Sequence, residues 1–535
     1  MKLTSRQSMG AAALIMGASV FLSRIMGLVR DKVISWQFGA GADTDVYFAA
    51  FVVPDFINYL LAGGYVSMTL IPLLSGAFAK NEDEGWNFFS CVIVWNSLAA
   101  GLFIALAWIF APQLARFTMP GFDAAQLERL TLYLRIILPG QLFFLTGSCL
   151  TAILYIRKTF TVPALTPLAY NGCIIAGGLL WPLLAGQTGG MTGYAVGASL
   201  GALCGAFLLP LFAVSRRESG GLHFWPKLWN PLLKRYVLLA LPLMIGQSVV
   251  VLDEQLVRVF GGLAGEGVVS QLNYARRIML VPVGVVAQAA GVASFPFLAS
   301  LAAAADREAF DATLKKALSQ GLLVMVPVTA WMIAAAEPIL GLIFEGGRFS
   351  AQDTAASGLL LRILLLALPF WLIQQVLGRA FYAWQDTSSP AVLGTVATVL
   401  ALPLYALITP HGGATAVAAI SAASIAVYAV ILSGWWLRRH GAGALSGLLH
   451  PVVHCLILSV VAGMAACGAD ALLRAFLPVD VLHTMLSSTL PGGAPLMVNL
   501  LTYCLCLAVS LAAFVAVYGG LALLFFRQGL AVIRR

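Results

Sequence analysis

Apolar runs long enough to cross a membrane recur along the whole chain, and this repetition constrains the fold more than any other feature. About 20 apolar residues in a helix span the ~30 Å of hydrocarbon in a bilayer, and a helix satisfies its own backbone hydrogen bonds there. We count about fourteen such runs, at residues 9–29, 46–78, 87–117, 130–156, 161–185, 190–214, 232–262, 270–303, 312–344, 355–384, 388–409, 412–437, 448–475 and 493–526. The sequence therefore predicts an all-α polytopic membrane protein with about 14 transmembrane helices.

Composition and motifs exclude several other classes of protein. Charged residues make up only 10% of the chain, and no polar stretch is long enough for a separate soluble domain. No Gly-rich phosphate loop, G-x-S-x-G turn or H-E-x-x-H motif occurs. His450 and His454 have the spacing of metal ligands on a helix but lack a third ligand nearby. We therefore expect a protein that is not an enzyme and has neither cofactor nor metal.

Lysine and arginine residues are concentrated in one set of the connections between these runs. That set contains Lys80, Arg157, Lys158, Arg216, Arg217, Lys227, Lys234, Arg235, Arg307, Lys315, Lys316, Arg438 and Arg439. Cytoplasmic connections carry the excess of positive charge in membrane proteins, so we expect both termini in the cytoplasm. The formal net charge of +9 then follows from topology and does not indicate nucleic acid as a partner.

Three short patterns occur twice in the same order, which indicates an internal duplication. Residues 38–41 resemble 260–263, residues 71–74 resemble 295–298, and Leu154-Tyr155 with Pro163 resembles Phe381-Tyr382 with Pro390. Six predicted helices separate equivalent points, so the two halves enter the membrane in the same sense. We therefore predict two six-helix lobes, residues 1–220 and 221–440, related by a pseudo-two-fold axis along the membrane normal. Residues 441–535 supply two additional helices.

Two clusters of charged residues lie at matching places of the two halves. The first contains Arg24, Arg30, Asp31 and Asp45, and the second contains Asp253, Glu254, Arg258, Arg276 and Arg277. A charge at the bilayer centre costs roughly 2.5–3.5 kcal/mol on insertion scales, so it usually faces protein, water or a ligand. Because guanidinium stays charged there and binds phosphate bidentately, the clusters favour a pathway for a phosphate-bearing substrate. An internal pair of Arg24 and Asp31, seven residues apart on one helix face, is an alternative.

The second cluster allows three interpretations. Glu254 and Arg258 have the i, i+4 spacing of a local ion pair. Asp253 or Glu254 could instead bind a coupling cation or proton, or balance the arginines of the next helix. Arg276 and Arg277 diverge by about 100° on a helix, so at most one points directly into a cavity.

Three further arginines lie alone in other predicted helices, namely Arg135, Arg362 and Arg379. Long cationic side chains near a helix end extend to the membrane surface, and deeper ones need a partner. We therefore expect each of them to reach a helix end or to form a structural pair.

Several stretches combine residues that are typical of one known family. They are Ser23-Arg24-x-x-Gly27-x-x-Arg30-Asp31, residues 38–54 with Thr44-Asp45 and Pro54, Leu272-Asn273-Tyr274-Ala275-x-Arg277, Phe344-Glu345-x-Gly347-x-Phe349, and Phe381-Tyr382-Ala383-x-x-Asp386-Thr387-x-x-Pro390. With these motifs the chain resembles the MurJ/MviN family, the lipid II flippases of the multidrug/oligosaccharidyl-lipid/polysaccharide (MOP) exporter superfamily. A six-six-two arrangement of fourteen helices fits the same family.

The resemblance implies an alternating-access flippase that moves lipid II, or a similar undecaprenyl-diphosphate-linked substrate, across the bacterial inner membrane. It also implies a central cavity lined by helices one, two, seven and eight, and a groove for the lipid tail at the last two helices. We further expect the protein to be a monomer. The site residues that match the family's motifs are Arg24, Arg30, Asp31, Asp45, Ser270 and Arg277. The drive is then expected to be the membrane potential, worth ~2.3 kcal/mol per charge per 100 mV, or a coupling cation such as Na+ or H+.

The chain departs from the family's pattern at four positions. The family usually has an arginine where this chain has Asn58 and a glutamate where it has Gly63. Arg276 and Leu280 stand where the family usually has acidic residues. We therefore include Asn58 and Arg276 among the candidate substrate-binding residues. The departures leave three alternatives: a flippase for another lipid-linked glycan, a cation-coupled exporter of small molecules, and a non-transporting scaffold for cell-wall assembly.

The charge distribution leads to a prediction about topology. Reporter fusions at Arg217, Arg307 and Arg439 should read as cytoplasmic, because these residues lie in the connections rich in lysine and arginine. Fusions near Gly189 and Gly412 should read as external. The measurement uses alkaline phosphatase, which is active outside, and a fluorescent protein, which fluoresces inside. Cytoplasmic signal at the last two positions would overturn the fourteen-helix topology.

Overall fold

The computed structural model describes residues 8–62, 69–185, 190–217, 228–476 and 494–525. Within these ranges the chain is helical, and its only β-type pairing is an isolated bridge between Gly346 and Phe349. The departure at Gly63 lies outside the described residues. The chain divides into two compact units, which take in residues 1–34 with 41–270 and residues 35–40 with 271–535.

The described part of the first unit is built from helices that we number in chain order. They are α1 (Met9–Phe38, which continues into the second unit), α2 (Ala42–Ala49), α3 (Val52–Ala62), α4 (Ile71–Lys80), α5 (Glu82–Ile109), α6 (Ala111–Thr118), α7 (Ala124–Ile137), α8 (Gly140–Ile156), α9 (Thr161–Ala185), α10 (Thr192–Gly201), α11 (Leu209–Arg217) and α12 (Pro231–Ala264). A π-helical segment at Ala202–Leu208 joins α10 to α11.

Small residues bring α9 and α10 into close contact in the first unit. A Cβ atom on Gly197 of α10 would lie 2.5 Å from the carbonyl oxygen of Cys173 on α9. On the facing helix, a Cβ atom on Gly177 would lie 2.4 Å from the carbonyl oxygen of Gly193. Helices in lipid associate mainly by close backbone packing of this kind, since lipid tails are as apolar as leucine. The glycines therefore fix the separation of this helix pair.

The described part of the second unit contains the remaining helices. They are α13 (Val268–Pro282, whose first three residues belong to the first unit), α14 (Gln288–Ala303), α15 (Arg307–Ala334), α16 (Ala336–Phe344), α17 (Ala351–Leu365), α18 (Leu368–Ala383), α19 (Ser388–His440), α20 (Leu449–Phe476) and α21 (Ala494–Phe525). A π-helical segment at Val283–Ala287 joins α13 to α14. Helix α19 is two helices joined at Gly413, whose φ of 54° and ψ of −142° break the helical geometry.

The additional helices predicted after residue 441 pack within the second unit. Ala462 and Ala466 of α20 form a buried cluster with Phe514 of α21 and Ala334 of α15. Small side chains at this contact let the backbones of α20 and α15 approach. The last helix pair is therefore an integral part of this unit.

Membrane-length helices confirm the predicted fold class. Nine helices in the described ranges are long and apolar enough to cross a bilayer, or ten if the bent pair α17 and α18, at 42°, is one span. One of the nine is α19, which contains the predicted runs 388–409 and 412–437 on either side of Gly413. The chain is therefore an all-α polytopic membrane protein. The count of fourteen and the lobe boundaries at residues 220 and 440 stay predictions.

Candidate functional site

Arg30 of the first charged cluster is held by partners within the first unit. Its Nε and Nη2 atoms donate to Oδ1 of Asp31 at 2.9 and 2.8 Å, and its Nη1 donates to Oδ1 of Asn171 on α9 at 3.1 Å. The Asp31 side chain is completely buried. The side-chain amide of Asn171 in turn donates to the Pro167 carbonyl at 2.9 Å. Arg30 thus forms an ion pair with Asp31 on its own helix, and its hydrogen bond to Asn171 joins α1 to α9. The predicted pair of Arg24 with Asp31 stays a prediction.

Arg24 lies nearly two helical turns before Arg30 on α1, in a different environment. Its side chain is exposed, whereas Arg30 is largely covered and Asp31 is buried. Exposure separates Arg24 from the other two, but a role in substrate binding stays a prediction for each of them.

Asp45 and Ser270 are brought together at the start of α13. The Asp45 carboxylate accepts hydrogen bonds from the backbone N–H groups of Gly267 at 2.6 Å and Ser270 at 2.7 Å. The Ser270 hydroxyl donates to the Gly267 carbonyl at 2.9 Å. Both side chains are buried. A carboxylate at a helix N-terminus satisfies free N–H groups and matches the positive end of the helix dipole. These two candidate residues therefore fasten α2 to the first turn of α13.

Arg258 is the centre of the second charged cluster. Its Nη2 donates to Glu254 Oε1 at 2.7 Å, so the predicted i, i+4 pair is present. Its Nη1 donates to Asp55 Oδ2 on α3 at 2.8 Å and to Gln255 Oε1 at 3.2 Å. The Arg258 side chain is only 12% exposed, and those of Asp55 and Glu254 about a third. This arrangement, which we call the Arg258 cluster, joins α12 to α3 by charge.

Asp55 is a member of this cluster that the sequence did not predict. Asp55 and Arg258 are 203 residues apart, and no periodicity connects residues on different helices. One feature of the sequence could have identified Asp55. It directly follows Pro54 in an otherwise apolar run, and an acid in such a run needs a partner. One turn later, Asn58 donates from Nδ2 to Gln141 Oε1 on α8 at 2.9 Å. Asn58, at the position where the family usually has an arginine, therefore makes an uncharged hydrogen bond between α3 and α8.

Arg276 and Arg277 lie on α13 within the second unit. Arg276 is 8% exposed, and its Nη1 lies 3.5 Å from the Ser421 hydroxyl on α19. Arg277 is less buried, as expected for neighbours that diverge on a helix. Asp253 lies in the first unit beside Glu254 and is partly buried. Charge balance between these arginines and Asp253 or Glu254 stays a prediction.

Glu345 forms a further polar centre in the second unit, after the end of α16. Its carboxylate accepts from the Thr354 hydroxyl at 2.7 Å, the Asn499 amide at 3.1 Å and the Tyr503 hydroxyl at 2.6 Å. Asn499 and Tyr503 are one turn apart on α21. The sequence identified Glu345 as a motif residue but gave it no role. It fastens the last helix to the turn that follows α16.

The fold identifies the class of protein. The chain is similar to an inward-facing multidrug resistance MATE family transporter of the MOP superfamily, with a TM-score of 0.65, 17% identity, and coverage of 82% of this chain and 99% of the other. It is also similar to a structure of lipid II flippase MurJ in an inward closed conformation, with a TM-score of 0.72, 21% identity, and coverage of 94% and 99%. The protein is therefore an integral membrane protein with the MOP transporter fold.

Sequence comparison identifies the family. The family model described as "Lipid II flippase MurJ" matches residues 34–487, and the chain belongs to the MurJ family. A probable lipid II flippase MurJ of Rhizobium meliloti is 25% identical over 524 residues, which are 97% of this chain and 94% of that protein. One of Bdellovibrio bacteriovorus is 26% identical over 475 residues, 84% of this chain and 86% of that protein.

The Arg258 cluster leads to a prediction about stability. Arg258→Gln should lower the thermal stability of the purified protein more than Asp55→Asn, because it leaves two carboxylates without their cation. Asp55→Asn keeps the Glu254–Arg258 pair. We expect Arg258→Gln to cost about 1–3 kcal/mol, less than the ~3–5 kcal/mol for a fully buried pair, since solvent screens the partly exposed acids. Tryptophan fluorescence during heating in detergent measures the effect.

The double variant and a control make this test specific. Asp55→Asn combined with Arg258→Gln should be more stable than Arg258→Gln alone, because one unpaired carboxylate has been removed. Arg116→Gln, at an exposed position on α6, should unfold like the wild type. Strictly additive effects of the two changes would contradict the pairing of Asp55 with Arg258.

Proposed function

We propose that this protein is a flippase that moves lipid II, a polyprenyl-diphosphate-linked peptidoglycan precursor, from the inner to the outer leaflet of the bacterial inner membrane. The observation that carries the proposal is the match of the MurJ family model over residues 34–487. A relative named as a probable lipid II flippase is similar over 97% of this chain. A small-molecule exporter, a flippase for another glycan and a scaffold are not favoured by these matches.

The proposed contacts to the diphosphate are the exposed Arg24 on α1 and the arginines Arg276 and Arg277 on α13. A guanidinium fork offers phosphate two parallel hydrogen bonds and keeps its charge in a low dielectric. Arg24 on α1 and Arg277 on α13 match the family's motifs and are not fully buried. Arg30 is a further proposed contact, and its orientation is fixed by Asp31 and Asn171. In this proposal the arginines bind the diphosphate during an alternating-access cycle.

The energy source of the cycle is proposed to be the membrane potential or a coupling cation. Each charge that crosses the full field gains ~2.3 kcal/mol per 100 mV, enough to bias a transport equilibrium. Asp253 and Glu254 are the candidate acids for a cation or proton, since both lie on α12, which contains a predicted apolar run, and both are partly buried. We further propose that the protein acts as a monomer with both termini in the cytoplasm, in line with its charge distribution.

Complementation of a bacterial strain depleted of its own lipid II flippase tests the proposal. The wild-type protein should restore growth. Arg24→Ala and Arg277→Ala should each fail to restore it, because a neutral side chain lacks the charge-assisted hydrogen bonds to phosphate. Arg116→Ala, which removes an exposed arginine of α6, should restore growth like the wild type.

Membrane levels of each variant, measured by immunoblot, separate loss of transport from loss of protein. Failure of the correctly inserted wild type to restore growth would contradict the proposed function. Full growth with both Arg24→Ala and Arg277→Ala would leave the function standing and rule out this cationic site.

A further inference from the structure

Arg379 differs from the other isolated arginines in having no partner among the described residues. The Cζ atom of Arg135 lies 4.9 Å from the ring centroid of Trp108, and Arg362 pairs with Glu337 at 3.6 Å. These two arginines thus have the structural partners that the sequence led us to expect. Arg379 makes no hydrogen bond or ion pair within the described ranges, and its Nε atom is buried.

The Arg379 guanidinium lies against the backbone of α14. A Cβ atom on Gly291 of α14 would lie 2.7 Å from Arg379 Nε and 3.0 Å from its Cδ, so glycine leaves the space that the side chain occupies. Gly291 is far from the end of α14 at Ala303, about 18 Å along the helix. Side chains of a helix lean toward its N-terminus, which directs Arg379 away from the nearer end of α18 at Ala383. Arg379 therefore does not lie against α14 in order to extend toward the nearer membrane surface.

Two polar side chains lie one helical turn from Gly291 and Arg379, and none of the acids in the described ranges pairs with the guanidinium. The Ser294 hydroxyl, one turn after Gly291, is buried and donates to the Gly291 carbonyl at 3.2 Å. Tyr382, one turn after Arg379, is 47% exposed. The π-helical segment Val283–Ala287 ends one turn before Gly291, and such segments are frequent at functional sites. The face formed by α14 and α18 therefore carries one uncompensated positive charge.

We propose that Arg379, seated on Gly291, binds the phosphate group of a membrane lipid. A guanidinium keeps its charge in hydrocarbon, so its counter-charge has to reach it from the surroundings. Phosphate is the anion that membrane lipids carry, and it matches the two parallel N–H groups of the arginine fork. The phosphate belongs to the transported diphosphate lipid, an assignment that rests on the proposed function, or to a bulk phospholipid. The positive site itself does not depend on that assignment.

Lipid binding to the purified full-length protein tests the site. Undecaprenyl diphosphate and phosphatidylglycerol are titrated separately in detergent, and bound lipid is counted by native mass spectrometry. We expect Arg379→Gln to weaken the binding of at least one lipid tenfold or more, because it removes both charge and fork. Arg379→Lys keeps the charge without the fork and should weaken binding less. Arg135→Gln, which removes an arginine held by a tryptophan ring, is the matched control and should bind as the wild type does.

Gly291→Ala gives a second test that leaves the charge in place. The added methyl group would occupy the position of the guanidinium, displace it, and weaken binding as Arg379→Gln does. If Arg379→Gln does not fold, lipid binding by Gly291→Ala decides whether the phosphate site exists. Wild-type protein that binds neither lipid, or unchanged binding of both lipids by the deciding variant, overturns the proposal.

The two lipids distinguish the sources of the phosphate. A loss confined to undecaprenyl diphosphate assigns the site to the transported lipid, and a loss confined to phosphatidylglycerol assigns it to the bulk membrane. A loss with both supports a phosphate site that does not distinguish them. Complementation by the wild type is scored separately, so failure there contradicts the proposed function while the binding result alone decides the Arg379 site.

Discussion

The free-energy cost of an unpaired charge in hydrocarbon is the constraint on which the rest of this structure depends. Contacts with Asp55 and Glu254 offset this cost for Arg258, and contacts with Asp31 and Asn171 offset it for Arg30. One partner in each case comes from another helix, so the Asp55 carboxylate joins α12 to α3 and the neutral Asn171 amide joins α1 to α9. Polar contacts therefore supply helix-to-helix specificity that apolar side chains in lipid do not.

Some charged residues of this protein are hydrogen-bonded to neighbouring groups, and others are exposed or make no ion pair within the described residues. Arg258 donates three hydrogen bonds and Asp45 accepts two, all with neighbours in the first unit. Arg30 uses three of its five N–H groups on such neighbours, which fixes its orientation and leaves two. Arg24 is exposed, and Arg379 makes no ion pair within the described residues. Arg24 and Arg379 are therefore among the contacts to phosphate that we propose.

The fold class could be predicted because membrane-length apolar runs depend only on local sequence. The pair of Glu254 and Arg258 could also be predicted, because the two residues are one helical turn apart. The pairing of Asp55 with Arg258 could not, since it depends on how α3 packs against α12. The contacts of Asp45 with the start of α13, and of Glu345 with α21, were missed for the same reason. Residue motifs identified Asp45 and Glu345 but did not reveal which backbone or helix each of them holds.

Lipid II translocation by the purified protein in proteoliposomes tests the central claim most directly. Fluorescent lipid II is placed in one leaflet, and its arrival in the other is measured by accessibility to a membrane-impermeant quencher. The account predicts transfer that requires the protein and responds to an imposed membrane potential or ion gradient. Lipid II that stays in its original leaflet, with folded and correctly inserted protein present, would contradict it.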